Sequence, residues 1–395
     1  MSSDESSIPD DMDSWTSTDD IPVISDSSGE GSGTDSDDEQ EVSDEPTVSD
    51  TPAIVEYLTQ QITGDAIDER RQTMEAEENI EQGKHYFNGA TSDKPAHRHT
   101  GSKFFRCPRK TAYQYDNAPK ESDDPDGVFY FGTIVEEEVI QPVLKDLVRD
   151  LDVYVTNDIG VGFEVETGAQ DLYITGYTDP VFVNENGDPL LVTEVKTTGK
   201  DLSSLNEPRK DHLAQAHVYM EGLSRDNDRD VRNALIIYIN KVSFEVQVFP
   251  VAFDWEFWSE MIEWATELTH QRRFGELPPA APSESWECDY CSYSTRCGQD
   301  DPSVGDLGSI GFVPHHEYPK QQVRLYLEAH TDAKLVPSMA HQYPELAEEH
   351  GALDWVCRNC EASVKWDVAS LTSPVCPECG EPELRDPTPK EQRYF

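Results

Sequence analysis

Basic residues are scarce in this chain. Its 395 residues carry 31 Lys plus Arg against 79 Asp plus Glu, a net charge of −48, and no Lys or Arg occurs before Arg70. Such a deficit excludes the usual electrostatic route onto nucleic acid, in which many cations neutralise phosphates and release counterions. Long apolar runs are also missing. Nothing approaches the ~18 consecutive apolar residues of a membrane-crossing helix, so no membrane partner is expected. Cysteine is limited to eight, no apolar signal sequence opens the chain, and most of the cysteines fall in C-x-x-C pairs. That pattern predicts metal ligation in a reducing cytoplasm rather than disulfides, which a chain long enough to bury a sizeable core does not require.

What is abundant is acid. The excess continues beyond the N-terminal tail and is rich in Asp and poor in Lys, the surface expected of a protein in a high-salt cytoplasm. At about 1 M salt the Debye length is ~3 Å, so diffuse repulsion from a polyanion is screened and binding to DNA would rest on short contacts and bridging metal. Residues 1–52 combine Ser, Asp, Glu, Gly and Thr and are expected to form a disordered acidic tail. Residues 53–103 read as a helical arm and linker, with Ile54, Leu58, Ile62 and Ile67 loosely at helical spacing to about Gln82.

Residues 104–298 carry the densest pattern. Helices are expected at Pro108 to Tyr115 and Phe131 to Asp150, strands at Gly162–Val165, Leu172–Thr178 and Leu190–Lys196, and a helix from Pro208 to Gly222. Two strands, Ala234–Ile239 and Phe244–Val251, then form a hairpin before a helix from Trp255 to Arg273. The order predicts an α/β fold, a mixed sheet flanked by helices. Residues 299–352 read as a helical linker region with helices near Lys320 to His330 and Tyr343 to Glu349, 353–385 as a small zinc module, and 386–395 as a tail.

Strand alternation puts Glu194 and Lys196 on one face of the third strand and Val195 on the other. Asp179, in Gly176-Tyr177-Thr178-Asp179, ends the preceding strand and lies near Glu194 if the two strands pair. Two carboxylates converging beside a lysine repel unless a divalent cation sits between them. Glu136 on the long helix supplies a third acid, with Gly132 one turn earlier to let the helix approach the sheet. Gln215 and Tyr219 share a helix face and point across the site. The plainer alternative makes Asp179 a turn residue, Glu194 and Lys196 an exposed ion pair, and Gln215 with Tyr219 a helix surface.

The series Gly132-x-x-x-Glu136, Gly176-x-x-Asp179, Glu194-x-Lys196, Gln215-x-x-x-Tyr219 resembles the RecB-type branch of the PD-(D/E)XK nucleases, whose restriction-endonuclease-like fold order is similar. Cys107 in Cys107-Pro108-Arg109-Lys110-x-x-Tyr113, with Cys288-x-x-Cys291-x(5)-Cys297, narrows the resemblance to iron–sulfur members: CRISPR-associated Cas-four-type exonucleases, the AddB nuclease subunit and related replication nucleases. Glu136 departs from the pattern, since many relatives have His there. The resemblance implies that Glu136, Asp179, Glu194 and the Val195 carbonyl hold Mg²⁺ or Mn²⁺, that Lys196 orients the attacking water, and that Gln215 and Tyr219 position the strand. It also implies phosphodiester hydrolysis on single-stranded DNA ends, in CRISPR spacer acquisition with integrase proteins or in recombination and repair with a helicase.

Four thiolates at Cys107, Cys288, Cys291 and Cys297 suit a 4Fe-4S cluster or zinc, and spacing does not separate them; the resemblance favours iron–sulfur, a clasp holding Arg109, Lys110 and Tyr113 beside the DNA path. Cys357-x-x-Cys360-x(15)-Cys376-x-x-Cys379 has the spacing of a zinc ribbon, with Pro377 and Gly380 at the second turn. Trp355, Lys365 and Trp366 are expected to cap the ribbon core rather than stack on DNA. Of the histidines, His212 and His217 share the Gln215 helix, so one of them is placed to approach the site, while His97, His99, His315 and His316 read as surface groups. Two other classes compete with the enzyme: a catalytically silent DNA-binding adaptor using the nuclease fold and ribbon for docking, which Glu136 favours, and a ribbon-bearing transcription regulator.

Overall fold

The computed structural model describes residues 51–62, 70, 73–74, 94–123, 126–227, 229–299, 306–314, 317–368 and 375–392. The acidic tail and most of the expected arm, including Ile67, lie outside them, as do His315 and His316. Two compact units divide the chain at residues 87 and 88. In the first, α1 (Thr51–Gln61) occupies the start of the expected arm. No helix among the described residues is long and apolar enough to cross a membrane.

The second unit is α/β. Helix α2 (Pro108–Tyr115) starts with Pro at its first position, where the missing N–H costs nothing. Helix α3 (Asp126–Ile134) runs through a π-helical stretch, Val135–Ile140, into α4 (Gln141–Leu147). The strands β1 (Arg98–Thr100), β3 (Gly160–Val165) and β4 (Leu172–Tyr177) form one sheet in the order β1-β4-β3. A five-stranded sheet has the order β2-β5-β6-β7-β8, from β2 (Tyr154–Thr156), β5 (Val181–Val183), β6 (Pro189–Thr198), β7 (Asn233–Asn240) and β8 (Val246–Ala252). Within it β6 and β7 are parallel, joined by the crossover helix α5 (Lys210–Asp226), and the other pairs are antiparallel.

The sheet is buried on both faces. Val192, Ile236 and Tyr238 join the main core with α5, β3, β4 and α6 (Trp255–Arg273). Val195, Ile237 and Ile239 pack on the other face beneath Val135, Ile140 and Leu144. Helix α6 begins with an Asp254 cap that accepts from Glu256 N and Phe257 N at 2.9 and 3.3 Å, and ends in His270, Arg272 and Arg273, so both ends oppose the helix dipole. Every strand and helix expected between 108 and 273 forms, with ends shifted by a few residues; the short strands β1, β2 and β5 were not foreseen.

Beyond the nuclease-like region, α7 (Trp286–Asp289) and α8 (Ser294–Cys297) carry the cysteine trio. The span read as a helical linker region encloses a core of its own around Phe312, Tyr318, Val323, Leu335 and Leu346, built from α9 (Lys320–Ala329), α10 (Pro337–Gln342) and α11 (Pro344–His350). A three-stranded ribbon follows, β10-β9-β11, from β9 (Trp355–Cys357), β10 (Ser363–Val364) and β11 (Leu384–Arg385). The expected tail at 386–395 is instead folded back through residue 392. Asp386 is fully buried and accepts from Ser338 N and Oγ at 2.9 and 2.6 Å, and Gln392 in α12 (Pro389–Gln392) exchanges two hydrogen bonds with the Phe312 backbone.

Glycine sets the distance between α5 and the small sheet. A Cβ at Gly222 would stand 2.6 Å from Val161 Cβ. Alanine there gains about 1 kcal/mol of helix propensity but forces apart a packed contact, at a cost of about 1–3 kcal/mol. Gly222→Ala is therefore expected to lower unfolding free energy in denaturant titration, against the helix-propensity trend; a more stable variant would disprove this packing account.

Candidate active site

Strand β5 is the shortest partner of β6, and its ladder stops at Val181–Val192. Beyond that point the edge of β6 has no strand on this side. Thr193 N donates to Pro180 O at 3.0 Å, and Val195 N then donates to the carboxylate Oδ2 of Asp179 at 2.6 Å. Asp179 thus continues the ladder with its side chain. The expectation that Asp179 reaches Glu194 because β4 pairs with β6 is incorrect. β4 belongs to the other sheet, and the link between β4 and β5 carries Asp179 to the notch.

Glu194 and Lys196 lie on the α5 face of β6, opposite Ile236 and Tyr238 of β7. Glu194 is fully buried, not an exposed pair. Its Oε1 meets the Lys196 ammonium, and its Oε2 has no hydrogen-bond partner. Glu136 comes from the π-helical stretch that covers the opposite face, a deviation that often marks functional sites. Asn157, just after β2, donates to Glu136 Oε1 at 3.1 Å and leaves its own Oδ1 buried without a partner. Gly132 does not serve as a close-approach point, since a Cβ there would meet only Thr197 Oγ1 at 3.8 Å, an ordinary contact. The tight glycine is Gly176, where a Cβ would stand 2.9 Å from the Tyr219 ring. Tyr219 is buried and its hydroxyl accepts from Gln215 Nε2 at 2.6 Å.

Three carboxyls and one ammonium share this pocket. Burial, then Asp179, pushes Glu136 up to about 8. Burial raises Asp179, and burial followed by the Asp179 charge raises Glu194 well above the carboxylate range. Burial opposes the Lys196 ammonium, but Glu194 and Asp179 outweigh it and hold its pKa above the ordinary value. With all three acids ionised, one ammonium leaves two negative charges uncompensated; the site needs protons or a divalent cation. The unpartnered Glu194 oxygen and an all-oxygen donor set fit Mg²⁺ or Mn²⁺. The oxygens of Glu136, Asp179 and Glu194 do not all lie within 4.8 Å of one another, the Lys196 ammonium standing at Glu194.

His212 is the histidine of the Gln215 helix that approaches the site, and its neighbour Asp211 escaped the sequence. His212 is held neutral, its pKa lowered to about 2 by burial, then by Lys196 and Arg209, with Nδ1 2.8 Å from Tyr238 Oη. Asp211 beside it is clasped by Arg106 and Arg209 at 2.6 and 3.0 Å. His217 is structural: its Nε2 accepts from Asp254 N at 3.0 Å, which fixes the proton on Nδ1, bonded to Leu213 O. His99 is buried against Thr269 Oγ1 at 2.7 Å rather than at the surface.

Cys107, Cys288, Cys291 and Cys297 line one cavity with Lys110 and Tyr113. Glu287 holds this clasp shut by accepting from Cys107 N at 3.3 Å, and Glu121 accepts from Thr295 N and Arg296 N at 2.8 and 2.7 Å. Arg109 and Tyr113 are not placed to contact DNA. Arg109 is buried, donating to Pro278 O at 2.8 Å and pairing with Asp306, and the buried Tyr113 donates to Leu307 O at 2.6 Å. Cys357, Cys360, Cys376 and Cys379 all converge within 4.8 Å, with two Sγ–Sγ distances of 3.7 Å. Zn–S bonds of about 2.3 Å in a tetrahedron give an edge of about 3.8 Å, so this set fits a single zinc ion. For the first set the four thiols suit either zinc or an iron–sulfur cluster. In the ribbon, Glu361 and Gly380 adopt φ of 59° and 76° after their pairs and return N–H bonds to Cys357 O and Cys376 O. Trp355 is buried, its Nε1 donating to Trp366 O at 3.1 Å.

A mixed sheet with an acid–x–Lys strand beside a notch that holds a second acid defines the PD-(D/E)XK nuclease fold. The sequence model of the PD-(D/E)XK nuclease superfamily matches residues 115–298. Among solved structures, the chain is similar to SSO0001 at 18% identity over 58% of this chain and 95% of that one, with a TM-score of 0.39. It is similar to the alkaline exonuclease LHK-Exo from Laribacter hongkongensis at 8% identity over 46% and 90%, TM-score 0.28, and to a phage related exonuclease from Haemophilus somnus 129PT at 14% over 36% and 71%, TM-score 0.25. Overlaps this loose carry none of the argument. No curated protein matches the chain.

The raised carboxyls give a stability signature independent of activity. Below about pH 4.5 Glu136 is protonated in folded and unfolded chains alike; as pH rises toward about 8 the unfolded chain releases a proton that the folded one keeps, so stability falls. Relative to Glu136→Gln, the natural protein is expected to lose thermal stability across that interval without added divalent ion, and Mn²⁺ should restore it more in the natural protein than in the variant. Parallel pH profiles for the two proteins, with or without Mn²⁺, would contradict the shared-charge site.

Proposed function

We propose that the protein is a metal-dependent deoxyribonuclease, an exonuclease acting on single-stranded DNA ends. The observation that carries the reading is the fully buried Glu194, paired to Lys196 on one side, unpartnered on the other, and adjoined by Asp179 and Glu136. Glu136, Asp179, Glu194 and the Val195 carbonyl would hold Mg²⁺ or Mn²⁺, which when bound polarises a phosphate oxygen and lowers the pKa of a water. Lys196 orients the nucleophilic water and offsets negative charge growing on the phosphorus oxygens, a task suited to a compact ammonium in a low-dielectric pocket. Asp179, by accepting from Val195 N, fixes the carbonyl and carboxylate of the strand end in register. Tyr219 and Gln215, bonded to each other, form the wall against which the scissile strand is held.

In this reading the first cysteine set holds a 4Fe-4S cluster that closes the two ends of the nuclease region, and the C-terminal set holds structural zinc. Spacer acquisition alongside a CRISPR integrase, or end processing alongside a recombination helicase, are the settings that consume this chemistry.

A labelled single strand incubated with Mn²⁺ tests the enzyme. Lys196→Ala and Glu194→Gln should each slow degradation at least about 10²-fold. Equal degradation by natural protein and Lys196→Ala, or none by the natural protein, would leave the silent adaptor. Protein purified without air should be brown and lose its colour in Cys291→Ser while keeping zinc; a colourless natural preparation would assign zinc to both sets.

A further inference from the structure

The described lysines are not spread evenly. A cleft of about 360 Å³ between α2 and α9 is lined by Lys94, Lys103 and Lys120, by the amides of Gln114 and Gln322, and by the buried rings of Tyr115, Tyr293 and Tyr326, with no carboxylate in its lining. Lys103 donates to Gln114 Oε1 at 2.8 Å, and Lys94 lies 3.4 Å from Thr100 Oγ1 and 5.3 Å from the centre of the Tyr115 ring. Neither Lys94 nor Lys103 pairs with an acid among the described residues. Burial, then Lys110, Arg106, Lys94 and Lys120, lowers Lys103 to about 8. In a chain with 79 acids and 31 bases, half-buried Lys94 and Lys103, each without an acidic partner among the described residues, are costly unless an anion joins them.

The geometry points to this cleft as a second nucleic-acid site, one that grips the phosphates of a single strand away from the cutting residues. A free phosphate ion is much smaller than the cleft, whereas a nucleotide unit fills a space of this order. Positive charge continues from the cleft to Lys110, which lines the Cys107 cavity, so successive phosphates find successive cations rather than one. The Gln114 and Gln322 amides in the lining offer polar contacts that carry no sequence preference. The assignment rests on the nucleic-acid reading of the fold but not on hydrolysis.

Binding is measured on the full chain, without added divalent ion, by the anisotropy of a fluorescein-labelled oligothymidylate across a series of KCl concentrations. Lys94→Gln/Lys103→Gln should weaken binding about tenfold and reduce the salt slope of log K by about 1.4, two contacts at about 0.7 each for a single strand. Lys103→Arg should bind like the natural protein, as should Lys320→Gln, which removes an exposed lysine paired with Glu345. Bound strand should also shield Lys94 and Lys103 of the natural protein from acetylation, a readout that needs no variant to fold. An unchanged slope in the double variant, or unshielded lysines, overturns the site, and inorganic phosphate displacing the probe as well as unlabelled strand does overturns the strand assignment. Natural protein that binds the strand but never cleaves it with Mn²⁺ refutes the nuclease and leaves this cleft standing.

Discussion

Burying Glu194 beneath α5 is the constraint around which the centre of the molecule is arranged. A carboxylate stripped of water is tolerable only beside compensating charge, and Lys196, two residues along the same strand face, balances one of the three acids. Asp179 and Glu136 make the deficit worse, not better. Structure alone gains nothing from that crowding, since replacing a whole buried ionic set by well-packed hydrophobic groups is often neutral or stabilising. The acids make physical sense as a basin for a doubly charged cation, and the parallel β6–β7 pair, buried on both faces, supplies the stiffness that keeps them from relaxing apart.

Much of the α/β order was legible because its signals are local. The apolar faces of α3–α4 and α6, the alternation in β3 and β4, and the run in β6 each state their period within one element. Glu194 and Lys196 sharing a face follows from that alternation alone. What was not legible depends on partners distant in sequence. Three-residue strands such as β5 have too little pattern to recognise, so the neighbour of β6 was misassigned, and with it the route by which Asp179 arrives. Arg109 and Tyr113 look like nucleic-acid contacts from their types, yet the clasp consumes their donors in bonds to Pro278 and Leu307. Asn157 carried no signal, since an isolated amide acquires meaning only from what folds against it. The lysine cleft was equally hidden, assembled from residues on either side of α2 and from α9.

The two cysteine sets illustrate different uses of one ligand. In the ribbon, four sulfurs 3.7 Å apart in pairs replace a hydrophobic core too small to hold three short strands. In the clasp, the sulfurs join segments far apart in sequence, and buried carboxylates at Glu121 and Glu287 bind the same segments through backbone N–H groups. Protein hydrogen bonds thus hold the closure in outline around the four thiols.

The brevity of β5 has an evolutionary reading. Were that strand two residues longer, a backbone carbonyl would take the Val195 N–H that Asp179 now accepts, and the acid would be turned out of the notch while every layer of the domain stayed in place. Loss of catalysis in a descendant of this architecture would then need no change at an acid or at the lysine, only the lengthening of a hairpin, and a census of conserved side chains would overlook it.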